Sequence, residues 1–271
     1  MKKLILVTGA TDGIGKMTAQ LLAAKGHQVI VHGRDKARVE QAILEIKSAL
    51  KNPSLELESS VFDLSSFASV KSGVSDLLKR FSHIDVLLNN AGTYQTQRLE
   101  SKDGFELTMA VNHLGPTLLT WMLKPLLEKS SQPRVIFVAS IAHNRGRIDS
   151  HDYNFDASFS AYPAYAASKL ANVIAARQLA QAWKTSGINV YSLHPGVITT
   201  KLLKIGFNVE GDSVEAGSET SVFLAAAELD KNLNGEYFVN KLPVAVSAQA
   251  KNEKEVSVFW QWTINSIGVK I

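Results

Sequence analysis

Short, wholly apolar runs alternate with longer stretches of helical period along the chain. Leu4 to Val7 predicts a buried strand, and Ile14 to Lys25 a helix closed by Gly26. Gln28 to Val31 predicts the next strand, and Lys36 to Leu50 a helix stopped near Asn52-Pro53. Leu55 to Phe62 alternates as a strand does, Ser66 to Arg80 is helical, and Val86 to Leu88 is a short strand. Phe105 to Lys129 carries a long helical pattern that Gly115-Pro116 should bend or interrupt. Arg134 to Ala139 predicts a strand, Tyr165 to Thr185 a helix ended by Gly187, and Ile188 to Leu193 a strand. Gly217 to Ala227 is helical and Glu236 to Val239 is a last strand. Strands with no polar face, alternating with helices, predict an α/β fold: a doubly wound parallel sheet with helices on both faces. No linker-like tract, charge block or repeat divides residues 1–271, so one domain is expected.

In such sheets ligands sit at the carboxyl ends of the strands. The polar clusters of this chain follow its strands: Gly9 to Gly15, Gly33-Arg34, Asp63-Leu64, Asn89 to Gly92, Ser140, and Pro195-Gly196. The first is the most informative. Thr8-Gly9-Ala10-Thr11-Asp12-Gly13-Ile14-Gly15 is a glycine-rich turn between a strand and a helix. Its glycines let the backbone approach a pyrophosphate, and the N–H groups of the helix start face the negative charge. The first gap is wider than in Gly-x-Gly-x-x-Gly, and an ordinary tight turn would also use Gly13 and Gly15. Lys16-Met17 stands where a phosphate-loop NTPase needs Lys-Ser/Thr, so a dinucleotide site of Rossmann type is the better expectation.

Tyr165 and Lys169 are i and i+4 near the start of a helix and share one face. An ammonium beside a phenol favours the phenolate. A phenol so tuned can give a proton to a carbonyl oxygen or take one from an alcohol. Ser140 ends a strand and can hold the same oxygen, and Asn112 can order a contact behind the tyrosine. Away from a nucleotide turn, such a Tyr–Lys pair would read as packing and a solvated lysine.

These segments resemble the classical short-chain dehydrogenase/reductases over essentially the whole chain. The matching residues are Thr8 to Gly15, Asn89-Asn90-Ala91-Gly92, Asn112, Ser140, Tyr165-Ala166-Ala167-Ser168-Lys169 and Pro195-Gly196. The resemblance implies that Tyr165 is the general acid/base, that Ser140 positions the substrate oxygen, and that Asn112 supports the proton relay. It implies that Lys169 holds the nicotinamide ribose and tunes Tyr165. The cofactor would be lined by Gly9, Thr11, Asp12, Gly13, Ile14 and Gly15 of the turn, with Arg34, Asp63 and Leu64 after the next strands. Asn89, Asn90, Ala91 and Gly92 would continue that wall, closed by Tyr165, Lys169, Pro195, Gly196, Val197 and Thr200. Asp63 would meet the adenine. Val111-Asn112-His113-Leu114-Gly115, Leu193-His194-Pro195-Gly196-Val197 with Thr200, and Gly235-Glu236-Tyr237-Phe238 resemble the retinol dehydrogenase and WW-domain oxidoreductase branch. The chain has no WW domain and no apolar N-terminal anchor like that of many retinol dehydrogenases, which weakens transfer of the retinoid substrate.

Charge bears on the cofactor. The position of the NAD-selecting acid falls, by resemblance, on Gly33, and Arg34 offers a donor fork to a 2′-phosphate. NADP is therefore expected, with NAD the alternative. Asp12 dissents, because NADP-preferring members often carry a basic residue there.

The composition narrows the rest. A hydrophobic fraction of 45% fills a sizeable core, and a formal charge of +4 with dispersed basic residues gives no nucleic-acid patch. The absence of cysteine excludes disulfides and thiolate chemistry. The four-residue apolar run after Met1-Lys2-Lys3 is too short for an export signal, no stretch is long enough to span a bilayer, and a cytoplasmic protein is expected. Residues 141–163 are expected to rim the substrate pocket. His143, His151 and Asp152 match no strong ligand spacing, so no metal is expected. By resemblance Lys201 to Gly211 is a substrate lid within a second binding segment, 197–220, and Leu202, Leu203, Ile205 and Phe207 make that pocket apolar. The aromatic tail at Val258, Phe259, Trp260 and Trp262 suits pocket closure, packing on the body, or an oligomer contact. A homo-oligomer is expected through Leu118, Leu119, Trp121, Leu170 and Ile174, as is common in the family. The expected activity is hydride exchange with a small-molecule carbonyl or alcohol. The alternatives are a nucleotide-binding regulator without turnover and a nucleotide-sugar epimerase or dehydratase, for which the chain after Pro195-Gly196 is short.

Overall fold

The computed structural model describes residues 1–207 and 209–269. Eight strands form one sheet in the order β3-β2-β1-β4-β5-β6-β7-β8. They are β1 (Leu4–Val7), β2 (Gln28–Gly33), β3 (Leu57–Val61), β4 (Val86–Asn89), β5 (Arg134–Val138), β6 (Asn189–His194), β7 (Tyr237–Val239) and β8 (Leu242–Val244). The first seven run parallel, and β8 turns back antiparallel on β7. Strand order reverses across β1, with Leu4 opposite Gln28 on one side and Ile5 opposite Val86 on the other. A cleft opens at such a reversal point, beyond the strands' carboxyl ends.

Side-chain alternation divides the core into two layers. Ile5, Val7, Val29 and Val31 point to the layer covered by α1 (Gly13–Ala24), α2 (Lys36–Ala49) and α9 (Val214–Ala226). Leu4, Leu6, Ile30 and Leu87 point to the other layer, under α3 (Phe67–Arg80), α5 (Gly115–Met122), α7 (Ala161–Ala182) and α10 (Glu253–Ile267). Three shorter helices complete the set: α4 (Leu107–Met109), α6 (Lys124–Leu127) and α8 (Lys201–Phe207). Asp35 caps α2 by accepting from Arg38 N at 2.9 Å, and Ser66 caps α3.

One expected feature is present and three depart from the periodicity. The interruption expected at Gly115-Pro116 divides Phe105 to Lys129 into α4, a π-turn at Ala110–Leu114, α5 and α6. A Cβ on Gly115 would lie 2.1 Å from the Leu64 carbonyl, so this glycine permits the close crossing at the break. Helix α7 starts at Ala161, a full turn before Tyr165. The sheet does not end at Val239, because β8 adds a hairpin whose exposed, proline-containing Leu-Pro-Val gives no strand signal. The aromatic tail folds as α10, capped by Asn252, with Phe259 and Trp260 buried.

Those burials bear on the oligomer expectation. Leu118, Leu119, Leu170 and Ile174 are buried in the protomer's own core, and Trp121 packs on Trp183 with ring centroids 5.7 Å apart. The four aliphatic side chains are therefore not available as an association surface, while Trp121 is half-buried. No helix among the described residues is long and apolar enough to cross a membrane.

Candidate active site

A cleft of roughly 1480 Å³ runs along the carboxyl edge of the sheet, and the strand-end clusters converge on it. Every residue expected at the cofactor, from Gly9 to Thr200, lines it except Asn89, which is buried with its amide on Thr120 Oγ1 at 2.9 Å. Ser140, Tyr165 and Lys169 line it as well; Asn112 stands behind the wall.

The glycine turn is built to be approached. Gly9 and Gly13 have φ of +64° and +52°, the left-handed region that favours glycine. A Cβ on Gly9 would sit 2.8 Å from Ala91 Cα, and one on Gly15 would sit 2.4 Å from the Gly9 carbonyl. The wide spacing at 9, 13 and 15 thus serves a tight cradle at the start of α1. Thr8 Oγ1 accepts from the N–H groups of Asn90 and Ala91 at 2.9 and 3.0 Å, and Asn90 Nδ2 donates to the Thr8 carbonyl at 2.8 Å. These bonds tie the turn to the loop after β4. The cradle's shape and helix-start N–H groups fit a pyrophosphate.

Asp12 faces cations. Its carboxylate caps α1 through Gly13 N at 2.8 Å, pairs with Lys201 at the start of α8, and lies 3.8 Å from Arg38 Nη2. The hydrogen bond from Lys201 holds its carboxyl below the usual range. Arg38 lines the cleft together with Arg34. At Gly33 a Cβ would come 2.5 Å from Thr11 Cγ2 and 2.9 Å from Val39 Cγ2, so an acid there would crowd both side chains. His32, just before it, is buried; its Nδ1 accepts from Gly9 N at 3.3 Å and its Nε2 lies 3.0 Å from the Phe62 carbonyl. Burial pulls its pKa to about 4, so it is neutral near pH 7 and its Nε2–H donates to Phe62. Asp63 Oδ1 is engaged by Ser65 N and Oγ at 2.9 and 2.8 Å.

At the other end of the cleft, Ser140 follows β5 and caps a tight 3₁₀ turn, with Oγ accepting from Ala142 N at 3.1 Å. Tyr165 and Lys169 come from one face of α7, with the Lys169 ammonium 5.6 Å from the phenol ring centroid. Lys169 Nζ donates to the Val138 carbonyl at 3.0 Å. Burial pulls Lys169 down to about 8. Burial also pushes the Tyr165 phenol up to about 12, against a smaller lowering by the Ser140 hydroxyl. The expectation that Lys169 lowers the phenol is therefore corrected for the protein by itself: desolvation wins, and the ammonium is turned to Val138. Asn112 sits in the π-turn. Its amide donates to the Thr93 carbonyl at 3.0 Å and Ser168 Oγ at 2.9 Å, and its oxygen accepts from Thr93 N at 2.7 Å. It holds the loop after β4 rather than touching Tyr165.

Aromatic side chains surround the phenol. Tyr94 and Phe207 stand 5.4 and 6.1 Å from the Tyr165 ring, and Tyr162 lies edge-on to Phe207 at 5.8 Å. Leu202 of α8 joins them. Ile141, Val197, Ile205 and Val209 are exposed, and all but Ile205 line the cleft. Of residues 141–163, only the two ends reach the cleft, at 141–142, 144–145 and Tyr162. The middle is stitched elsewhere: Asp152 accepts from the N–H groups of Asp156, Ala157 and Ser158, and Arg98 pairs with Asp156. His143 Nδ1 lies 2.8 Å from the Ser140 carbonyl and its ring packs on Tyr237. No cluster of three or more metal-ligating side chains occurs among the described residues. His32, Arg38, Tyr94 and Lys201 are site residues that spacing did not single out. A histidine inside an apolar strand was the one available signal.

A family model described as short chain dehydrogenase matches residues 3–206. The chain is 34% identical over 277 residues to retinol dehydrogenase 12 of Homo sapiens, covering 99% of this chain and 87% of that protein. It is likewise 34% identical over 278 residues to retinol dehydrogenase 11 of Homo sapiens, with 99% and 87% covered. Among solved structures, an uncharacterised protein of Mycobacterium paratuberculosis superposes with a TM-score of 0.82 at 27% identity, covering 99% of this chain and 94% of that one. An NADPH-bound carbonyl reductase from chicken shares the fold, with a TM-score of 0.71 at 23% identity over 90% of this chain and 99% of that one.

Proposed function

The chain belongs to the short-chain dehydrogenases, in the branch of the retinol dehydrogenases, and from that footing we propose that it is an NADP(H)-dependent oxidoreductase for an apolar carbonyl or alcohol, with Tyr165 as the acid/base. One observation carries the reading: Ser140, Tyr165 and Lys169 line the same cleft as the glycine cradle. The glycine cradle, Arg34 and Lys169 would hold a nicotinamide cofactor along that cleft, where it would supply or accept the hydride. The chain's residues do the rest. Ser140 holds the substrate oxygen against the phenol. Tyr165 gives that oxygen a proton in reduction and takes it back in oxidation. Lys169 would hold the cofactor's ribose, and its positive charge beside the phenol would bring the high pKa of Tyr165 down. Asn112 fixes the wall behind them. Tyr94, Tyr162, Phe207 and Leu202 exclude water and favour an apolar substrate.

The preference for NADP rests on three features: Arg34 and Arg38 at the cleft, the crowding of any acid at Gly33, and the pairing of Asp12 with Lys201 and Arg38. The paired Asp12 is a weak repellent for a 2′-phosphate. The test is a panel of aldehydes, ketones and alcohols of increasing chain length, followed by nicotinamide absorbance with each cofactor. Turnover favouring NADP(H) and apolar substrates is expected. Equal use of NAD(H) refutes the cofactor assignment, and binding without turnover on the whole panel favours a regulatory protein.

A further inference from the structure

We propose that His143 is a positioning residue for Ser140, its ring fastening the turn that carries the serine to the chain after β8. The inference deepens the oxidoreductase reading and rests on it for the role of Ser140. The ring's partners Tyr237 and Ser247 lie outside the span 3–206 that the family model matches.

Ser140 opens the 3₁₀ turn Ile141–Arg145. This turn is pressed on α7: Ala142 is buried with Tyr165 and Ala166, and a Cβ on Gly146 would come 2.6 Å from the Ala166 carbonyl. His143 ties the turn to a second element. Its side chain is buried, at 1% exposure, and its Nδ1 lies 2.8 Å from the Ser140 carbonyl. Across the ring, Nε2 lies 3.4 Å from the backbone nitrogen of Ser247. Tyr237 of β7 packs on the same imidazole with centroids 4.6 Å apart. The Ser247 anchor is itself held. Val246 and Ala250, on either side of it in the chain, are buried in the core layer under α7, and Ser247 Oγ accepts from Ala250 N at 3.4 Å.

The partners fix the ring's proton. The Ser140 carbonyl can only accept, so Nδ1 carries the hydrogen; the Ser247 N–H can only donate, so Nε2 presents its lone pair. One neutral tautomer satisfies both bonds. Burial holds the ring below the usual histidine range, which keeps it neutral near pH 7. The Ser140 carbonyl also accepts from the His143 backbone N–H at 3.1 Å, so one residue grips that oxygen twice. Without the imidazole, the Ser140 peptide loses its tie to Ser247 and can rotate, and the serine hydroxyl turns with it. Tyr165, held by its own helix, does not follow. His143 does not line the cleft; it acts through Ser140.

The test compares three variants. His143→Asn keeps an amide donor where Nδ1 stands, His143→Gln carries its amide one bond further toward Ser247, and His143→Leu makes neither bond. Ring ¹⁵N shifts of His143 in the wild type are read first, then NADPH affinity by fluorescence, then kcat. The Nδ1–H tautomer is expected. His143→Leu and His143→Gln should lower kcat by about 10- to 100-fold, the size of a misplacement on the order of 1 Å, with NADPH affinity unchanged. His143→Asn should recover most of that loss. Because the effect runs through Ser140, His143→Leu placed on Ser140→Ala should cost less than about threefold more. A merely structural role would cost the same in both backgrounds, and that result overturns the proposal. So does an Nε2–H tautomer, a His143→Leu protein with wild-type kcat, or equal kcat in His143→Asn and His143→Gln. The Asn and Gln pair carries the comparison if His143→Leu does not fold. If the wild type binds NADPH but turns over nothing, the oxidoreductase reading fails instead, and the tautomer alone decides the fastening.

Discussion

Lys3 and Lys169 stand at opposite ends of the same parallel sheet, and by burial alone they look alike. Both are nearly inaccessible, and desolvation pulls each from 10.5 down to about 8. Both donate to backbone carbonyls. At the amino edge, Lys3 Nζ bonds the Ala225 and Ala226 carbonyls at 2.9 and 3.3 Å, and Arg134 beside it takes those of Leu224 and Ala227. These are the open carbonyls that end α9, where cations belong. At the carboxyl edge, Lys169 donates to a single carbonyl and is one of the residues lining the cleft. A depressed lysine is therefore not by itself a functional mark. Donors left over beside a cavity are.

The strongest challenge to the contrast is at Tyr165. Tyr165→Phe should lower turnover by roughly 10²–10⁴-fold, the range of a placed acid/base, while NADPH affinity stays put. Turnover near the wild-type rate would mean that another group carries the proton.

The two lysines can then be set against each other. Lys169→Ala should reduce turnover by about 10²-fold or more and also weaken cofactor binding, with both quantities read on one preparation. Lys3→Met should leave kcat per folded molecule unchanged and remove about 1–3 kcal/mol of stability in urea unfolding, because the end of α9 loses buried donors. Similar kinetic losses in both variants would erase the distinction.

A smaller effect is expected at the cofactor's far end. Arg34→Ala should cost NADP(H) about 10- to 100-fold in affinity and leave NAD(H) nearly unchanged, as for a lost charge-assisted hydrogen bond. Isothermal titration with both cofactors decides it, and a parallel loss for the two would move the discrimination to Arg38.

The smallest effect concerns pH, where the two lysines should agree. Each has a folded pKa of about 8, below its unfolded value. Between the two values the unfolded chain holds the extra proton, so stability should rise with pH from about 8 toward about 10.4. Urea midpoints across that window should climb, and Lys3→Met should flatten part of the climb. Buried phenols held above their unfolded value, Tyr165 and Tyr237 among them, pull the other way near pH 10, so the wild type is read against Lys3→Met, where that contribution cancels: a wild-type midpoint that fails to climb relative to Lys3→Met contradicts the assigned burial of Lys3.

Much of this was legible in the chain because the signals are local. The glycine turn, the four-residue step from Tyr165 to Lys169 and the strand-end polar clusters all depend on near neighbours. What escaped depends on distant partners. Nothing around Asp12 reveals Lys201 as its ion-pair partner, 189 residues on. The apolar residues of α5 and α7 looked free for association because α10, which packs over them, has only an aromatic cluster as its signal. The direction of the Tyr165 shift was misjudged because spacing shows the Tyr–Lys pair but not the Val138 carbonyl that engages the lysine, nor the depth of burial.

The most direct measurement follows a label. NADPH carrying deuterium at both C4 positions of the nicotinamide is given, with an active aldehyde or ketone from the panel, to wild type and Tyr165→Phe in single turnover. The account predicts deuterium on the product carbon with the wild type, and with Tyr165→Phe a labelled product forming roughly 10²–10⁴-fold more slowly despite full NADPH binding. Deuterium appearing equally fast with Tyr165→Phe, or never appearing with a wild type that binds NADPH, would contradict it.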